Sequence, residues 1–425
     1  MKALCYKMLL FITLSFLSIG STLSQVNWTK YPGNPVTELT GFLHHPCVLF
    51  NANSNRFEMW FSFFLQSQQH ISFAYSEDGI FWTIHPTPVL TRGPLEWDAA
   101  TVESPFVIWE NGQYKMWYSG STNWLNYKIG YATSPDGITW TKYVGNPIFD
   151  AGANSWETGG VHGCSILPLE GGYKMWYSGL DTTTIQESIG CATSSDGIFW
   201  QRDTLNNPVL EPSASGWDSV NVFYPSVILI DDLYYMWYGG EFDTSGRSII
   251  QLGLATSSDG VSWNKHWANP VLSPSPFLEG GWENGSVRSG SVILLGDTLY
   301  MWYNGSSVPL CGGKSDASIG LAKSFFEPVP VEVELGALNS YFLEQNFPNP
   351  FNPSTKIEYS IPQLSNVVMK VFDVLGNEIE TLVSEEKPTG AYELNWNAQQ
   401  MPSGIYFYQL RAGSFIETKK MILLK

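Results

Sequence analysis

The chain has 425 residues, room for two or three ordinary domains, with 44% hydrophobic and 15% aromatic residues, ample for a large core. Its formal charge of −17 argues against nucleic acid, whose phosphates need a basic surface. The same acidity keeps an exported protein soluble.

Residues 1–25 read as a secretory signal. Lys2 and Lys7 give a positive start, Met8 to Ile19 an apolar stretch, and Ser21-Thr22-Leu23-Ser24 a small-residue exit. The apolar run is short for a membrane span, and Cys5 precedes it, so it is not placed for lipidation at a cleavage point. A soluble, exported mature chain is expected. It keeps Cys47, Cys164, Cys191 and Cys311, whose spacing fits no metal or redox motif. Cys164 and Cys191 would lie on the first and third strands of one repeat, roughly 9–10 Å apart and beyond disulfide reach. Buried thiols are expected.

An aromatic triplet then recurs: Met59-Trp60-Phe61, Met116-Trp117-Tyr118, Met175-Trp176-Tyr177, Met236-Trp237-Tyr238 and Met301-Trp302-Tyr303, spaced by 57, 59, 61 and 65 residues. A strand-rich repeat of this length predicts propeller blades. Each unit opens on a strand such as Val102–Ile108 and turns into a second carrying the triplet. After a variable loop comes a third strand, then Ser-x-Asp-Gly-x-x-Trp, whose Asp-Gly makes a tight turn into a fourth. That turn appears at Asp78, Asp136, Asp196 and Asp259 but not after Met301. The missing outer strand is found upstream, where Asn27-Trp28-Thr29-Lys30-Tyr31-Pro32-Gly33-Asn34-Pro35 matches Thr139–Pro147. The reading is an all-β chain: a five-bladed β-propeller over residues 26–326, closed by its N-terminal strand. Fourteen of the 18 tryptophans sit at repeated positions, which marks packing rather than ligand binding.

Residues 327–337 read as an extended linker. From 338 to 425 the strands alternate differently and the punctuation changes, predicting a small Ig-like β-sandwich with a basic end. Gln345–Thr355, Val371-Phe372-Asp373-Val374-Leu375-Gly376, Ser403-Gly404-Ile405-Tyr406 and Lys419–Lys425 resemble the type A C-terminal sorting domain of the type IX secretion system. The resemblance implies that residues 338–425 engage that machinery, and that the chain ends at the cell surface or is released.

Strand order opens the crossing loops and the loops between second and third strands on one propeller face, with the Asp-Gly turns on the other. The first strands line the channel. Aligned, they carry His44, Glu103, His162, Phe223 and Arg288 at one position and His45, Ser104, Gly163, Tyr224 and Ser289 at the next. The repeats agree elsewhere and diverge here, which predicts a built polar ring; a hydrogen-bonded plug of the channel is the plainer alternative. Glu103 is the candidate general acid, its pKa raised by apolar walls and opposed by Arg288. His44, His45, His162, Tyr224 and Arg288 are candidate ligand contacts. Three histidines also raise zinc, though they come from only two blades.

Asp98, Glu157, Asp218 and Glu283 each follow a repeated Trp in the crossing loops. One of Asp98, Glu157 and Asp218 could serve as a second catalytic carboxylate, as glycoside hydrolysis requires. Four near-equivalents look first like loop-stabilising acids. Trp124 is the one unrepeated aromatic in a loop on the site face and a candidate sugar platform, with Asp181, Glu241, Asp243, Arg247 and Asp316 in similar loops.

The five-bladed ring with Glu103-Ser104-Pro105 at a blade start resembles the glycoside hydrolase superfamily that includes families 43, 32 and 130. The resemblance implies a carbohydrate ligand, an Asp base, a second Asp and a Glu acid on different inner strands, and it allows a calcium ion in the channel. No other cofactor is expected, and a monomer is. Glu103 matches the acid in type, whereas the other inner positions hold no aspartate. The Ser-x-Asp-Gly-x-x-Trp turns are similar to sialidase Asp boxes, one residue shorter, and their far face makes them structural. The expectation is a glycoside hydrolase-like enzyme; a lectin-like or adhesive surface propeller is the alternative.

Overall fold

The computed structural model describes residues 26–37, 42–65, 68–93, 96–152, 155–244, 247–276, 281–307, 317–326, 341–346, 348–388, 390–413 and 415–424. The expected leader at 1–25, the linker at 327–337, Cys311 and Asp316 lie outside them. The described chain is all-β apart from one short 3-10 turn at Ser155–Glu157. It divides into two compact units, Gln25–Phe326 and Glu327–Lys425.

In the larger unit β1 (Thr29–Lys30) is followed by consecutive antiparallel groups. The first is β2 (Leu43–Asn51), β3 (Arg56–Leu65), β4 (Gln68–Ser76) and β5 (Thr83–Ile84). The next is β6 (Thr101–Glu110), β7 (Gln113–Ser121), β8 (Lys128–Ser134) and β9 (Thr141–Lys142). Then come β10 (Gly160–Leu169), β11 (Gly172–Asp181), β12 (Gln186–Ser194) and β13 (Gln201–Arg202). They are followed by β14 (Asn221–Ile230), β15 (Leu233–Thr244), β16 (Arg247–Ser257) and β17 (Asn264–Lys265). The last group is β18 (Ser286–Leu295), β19 (Thr298–Ser306) and β20 (Ala317–Phe325). Among the described residues it has no fourth strand of its own, and β1 takes that place, pairing Thr29 with Lys323 and Lys30 with Ala322. Asn34 brackets the Leu321 backbone at 3.0 and 2.8 Å, just as Asn146 brackets Tyr131 at 2.9 and 2.8 Å.

The triplets explain how the groups hold together. Trp60, Trp117, Trp176, Trp237 and Trp302 are fully buried. The indole N–H of Trp60 donates to the Gly137 carbonyl, Trp117 to Gly197, Trp176 to Gly260 and Trp302 to Gly79, each at 2.8 Å. The acceptors are Asp-Gly turns of the following group, so each triplet straps one group to the next and Trp302 reaches back to the first. Trp237 faces the group without such a turn. Its N–H has no acceptor among the described residues, and Trp28 packs edge-on against it at 5.9 Å.

The groups are also spliced at one level near the channel. Gln69 pairs in parallel with Thr101, Tyr127 with Gly160, Ile250 with Ser286 and Ala317 with Phe42. At the remaining junction the Glu187 N–H donates to Asn221 Oδ1 at 2.7 Å. Cys47, Cys164 and Cys191 are buried free thiols, raised in pKa by burial.

The second unit has two sheets. One joins β21 (Phe342–Leu343), β22 (Ser354–Ile361) and β25 (Gly390–Asn397); the other joins β24 (Glu378–Lys387), β23 (Ser365–Phe372), β26 (Gly404–Ala412) and β27 (Phe415–Leu423). Their alternating apolar residues, among them Ile357, Met369, Tyr408 and Leu410, form one core.

Candidate active site

Each first strand enters the channel with a break in register: between His44 and Cys47, Glu103 and Phe106, His162 and Ser165, Phe223 and Ser226, and Val287 and Gly290. A bulge of this kind re-aims the side chains around it. His45, Ser104, Gly163 and Tyr224 sit there with φ of 52, 50, 56 and 51°. For the three that are not glycine, this left-handed backbone costs on the order of 1 kcal/mol or more. The freed N–H groups are caught by serines that directly follow the triplets: Ser104 donates to Ser62 Oγ at 2.9 Å, Gly163 to Ser119 Oγ at 3.0 Å and Tyr224 to Ser178 Oγ at 2.9 Å. Gly239 takes the serine's place in the next group and offers no hydroxyl. The following bulge residue, Ser289, does not adopt the left-handed backbone.

The structure brings His44, His45, Glu103, His162, Tyr224 and Arg288 together. Gln69 Nε2 donates to Glu103 and lies 3.1 Å from His44 Nε2, while its Oε1 accepts from Thr101 at 3.1 Å. With Nε2 accepting, the His44 proton sits on Nδ1 and faces His45 Nδ1 at 2.9 Å. The His45 proton is thereby left on Nε2, a buried donor with no acceptor among the described residues; Ser289 Oγ is likewise unpartnered. Ser104 Oγ lies 3.0 Å from His45 Nδ1, and the His45 ring packs on Tyr224 at 4.2 Å.

Glu103 is 7% exposed. Burial raises its pKa, opposed by the Tyr127 hydroxyl bonded to it, the His162 charge, Gln69 and Arg288. Burial, helped by the Arg288 charge, lowers His44 to about 3, and burial also lowers His45, so both rings stay neutral. His162 behaves in the opposite way. Burial would lower it, but Glu187, 3.3 Å from its Nε2, and Glu103 together raise it. Arg288 is exposed at the mouth, its guanidinium 5.6 Å from the Phe223 ring centre.

Three of these participants lie on the third strands or, for Tyr127, just before one, and escape an alignment of first strands alone. Gln69, Tyr127 and Glu187 occupy one repeated position, two residues before Ile71, Ile129 and Ile189, where the other groups have Ile250 and Ala317. Divergence at that column was the available signal.

The crossing-loop acids are placed elsewhere. Asp98, Glu157 and Asp218 are buried, and each is paired with a cation on a fourth strand: Asp98 with Lys142 at 2.5 Å, Glu157 with Arg202 at 2.8 Å and Asp218 with Lys265 at 2.6 Å. Glu283 repeats the pattern with Lys30. The triplet tyrosines Tyr118, Tyr177 and Tyr238 donate to the first three at 3.3, 3.0 and 3.2 Å. Asp98, Glu157 and Asp218, expected to offer a catalytic base, are thus each held in a repeated ion pair. Among the described residues Glu187 is a carboxylate that acts together with Glu103 on Tyr127 and His162.

Between the first strands, just below the ring, lies a cavity of about 50 Å³ lined by His45, Ser104, Gly163, Tyr224 and Ser289 with the residues that follow them. This is room for water and not for a sugar. His44, His45 and Glu103 offer donors within 4.8 Å of one another. Two imidazole nitrogens and one carboxylate are a poor match for calcium, which takes six to eight oxygens. The donors already bond within the cluster, and no step is derived through a cation. Trp124, in the loop between β7 and β8, stacks on Phe64 with ring centres 5.5 Å apart and planes at 17°.

Comparison with known proteins bears on both units. Residues 345–424 match the secretion system C-terminal sorting domain, which indicates export by type IX secretion to the cell surface or beyond. An uncharacterised protein of Mycobacterium tuberculosis is 29% identical over 179 residues, 41% of this chain and 56% of that protein; the chain thus spans little more than half the relative's length. The 1,2-beta-oligomannan phosphorylase of Thermoanaerobacter sp. strain X514 is 26% identical over 214 residues, 48% of this chain and 64% of the enzyme. Among solved structures, one from the GH130 family of mannoside phosphorylases, described as containing hydrolases of beta-1,2 mannosidic linkages in Candida mannan, aligns with TM-score 0.55. Its identity is 18%, over 73% of this chain and 99% of that one. A thermostable family-43 glycoside hydrolase gives 0.55 at 21%, over 69% and 93%. The likeness shows the fold, a β-propeller of the glycoside hydrolase kind.

Proposed function

We propose that the chain is an exported carbohydrate-active enzyme that cleaves a glycosidic bond at the channel mouth, with Glu103 as proton donor. In this reading residues 26–326 form a five-bladed propeller closed by β1, and the tail is an Ig-like sandwich that hands a monomeric protein to the secretion machinery. The observation that carries it is a buried carboxyl at a polar ring, held by Gln69 and Tyr127, with Glu187 as second carboxylate beside His162. Burial, which favours the protonated form of Glu103, suits it to give its proton to the leaving oxygen. Glu187, steadied by the His162 charge, can activate the attacking nucleophile. The unpartnered His45 Nε2–H and Ser289 hydroxyl, with Arg288, are donors for sugar oxygens.

Phosphate in place of water is a second reading, favoured by the positive Arg288 and raised His162 at the mouth and by the phosphorylase among the relatives. The test is turnover of arabino-, galacto- and manno-oligosaccharides, beta-1,2-linked mannosides included, with and without inorganic phosphate. Glu103→Gln serves as control and is expected to lower kcat at least about 100-fold. Turnover untouched by Glu103→Gln overturns the assignment, and binding without turnover makes the protein lectin-like.

A further inference from the structure

We propose that Trp124 and Phe64 form an outer platform on which one sugar stacks while the reacting end of the same oligosaccharide lies at Glu103, so that the site is built for chains longer than a disaccharide. The inference rests on the carbohydrate reading of the mouth. Trp124 precedes by three residues Tyr127, whose hydroxyl bonds to Glu103. Phe64, under the indole, is the cross-strand partner of Gln69, whose amide donates to Glu103, so platform and carboxyl are joined through one strand pair.

The indole is presented and not packed away. Phe64 covers one face, and Phe42 in turn supports Phe64 edge-on at 6.4 Å. Trp124 remains 41% exposed, whereas the triplet tryptophans are fully buried. The loop that carries it is tied down: Asn123 N–H donates to Ser121 Oγ at 3.1 Å and Leu125 N–H to Asn123 Oδ1 at 3.0 Å. These bonds hold Trp124 at φ 64°, a conformation a bulky aromatic rarely adopts. The backbone at Trp124 is strained, and a flat apolar face of its ring stays open to solvent. The neighbouring rim is polar. Thr158 and Thr182, bonded to each other at 3.0 Å, stand by the junction where Gly160 backs onto Asn126 and Tyr127. A flat apolar face bordered by hydroxyls and amides suits a pyranose ring and its hydroxyls better than an apolar peptide.

The experiment measures binding of arabino-, galacto- and manno-oligosaccharides of two to six sugars to the full chain by calorimetry, for wild type, Trp124→Gly and Trp124→Phe. Glycine accepts the left-handed backbone, so Trp124→Gly should keep or raise the thermal midpoint, which shows that the fold survives. Trp124→Gly is expected to weaken the longest ligands of the preferred series about three- to tenfold. The disaccharide should stay within about twofold, and Trp124→Phe should keep most of the long-chain affinity. Equal weakening at all lengths, or none, overturns the platform while leaving the carbohydrate reading in place. If wild type binds no member of any series, both fall.

Discussion

Glu103 concentrates the chemistry of the mouth in one titration. In an unfolded chain its pKa would be near 4.5, and burial raises it in the folded protein. The native state therefore holds a proton that the unfolded chain releases, and stability declines as pH rises from that value through the folded pKa. His162, also raised, pulls in the same direction, so the informative quantity is the difference between Glu103→Gln and wild type. In chemical denaturation the two should be about equal near pH 4, with the variant gaining stability towards pH 7 while losing activity. A difference independent of pH would remove the protonated carboxyl from the mechanism. Much of this ring was legible in the sequence, because His44, Glu103, His162 and Arg288 break a pattern the repeats otherwise keep. Gln69, Tyr127 and Glu187 were not read, since their side chains reach the mouth across strand junctions that an alignment of first strands ignores. The role of Asp98, Glu157 and Asp218 was within reach: Lys142, Arg202 and Lys265 repeat in step with them on the fourth strands, a charge complementarity that points to structural pairs.

At the scale of elements, the triplets, turns and bulges form one device. The triplet's Trp ties the neighbouring Asp-Gly turn, and the serine after it in three groups catches the next bulge, so the packing motif also aims the site residues. The straps predict an asymmetry. Trp117→Phe loses the bond to Gly197, whose carbonyl keeps the Trp200 indole as a donor, a cost of about 0.5–1.5 kcal/mol. Trp237→Phe removes an N–H that has no acceptor among the described residues and should cost clearly less beyond the shared change in volume. Equal losses in urea unfolding would mean that the indole bonds contribute nothing. The repeat made the strands and turns readable. The left-handed backbone at Ser104 and Tyr224 was not, because no local residue type demands it; the serines of the preceding group catch the N–H groups it frees.

For the whole molecule, the acidic exported chain divides its labour: the sorting domain at 345–424 carries the address, and the larger unit carries the mouth. Removing residues 26–36 should strip the β20 edge of its partner and of the Asn34 bracket. The expected result is a lower and broader unfolding transition of the larger unit, read by calorimetry; an unchanged transition would make β1 dispensable. That pairing also sets a timetable. Asn34 and Leu321 are 287 residues apart, so bringing them together costs about 5 kcal/mol of chain entropy, against which almost nothing is gained until the intervening groups stand. β1 is synthesised before every other described strand of the larger unit and must wait to pair with β20, the last of them. Until then β20 has a bare edge, where a neighbouring chain could pair by mistake.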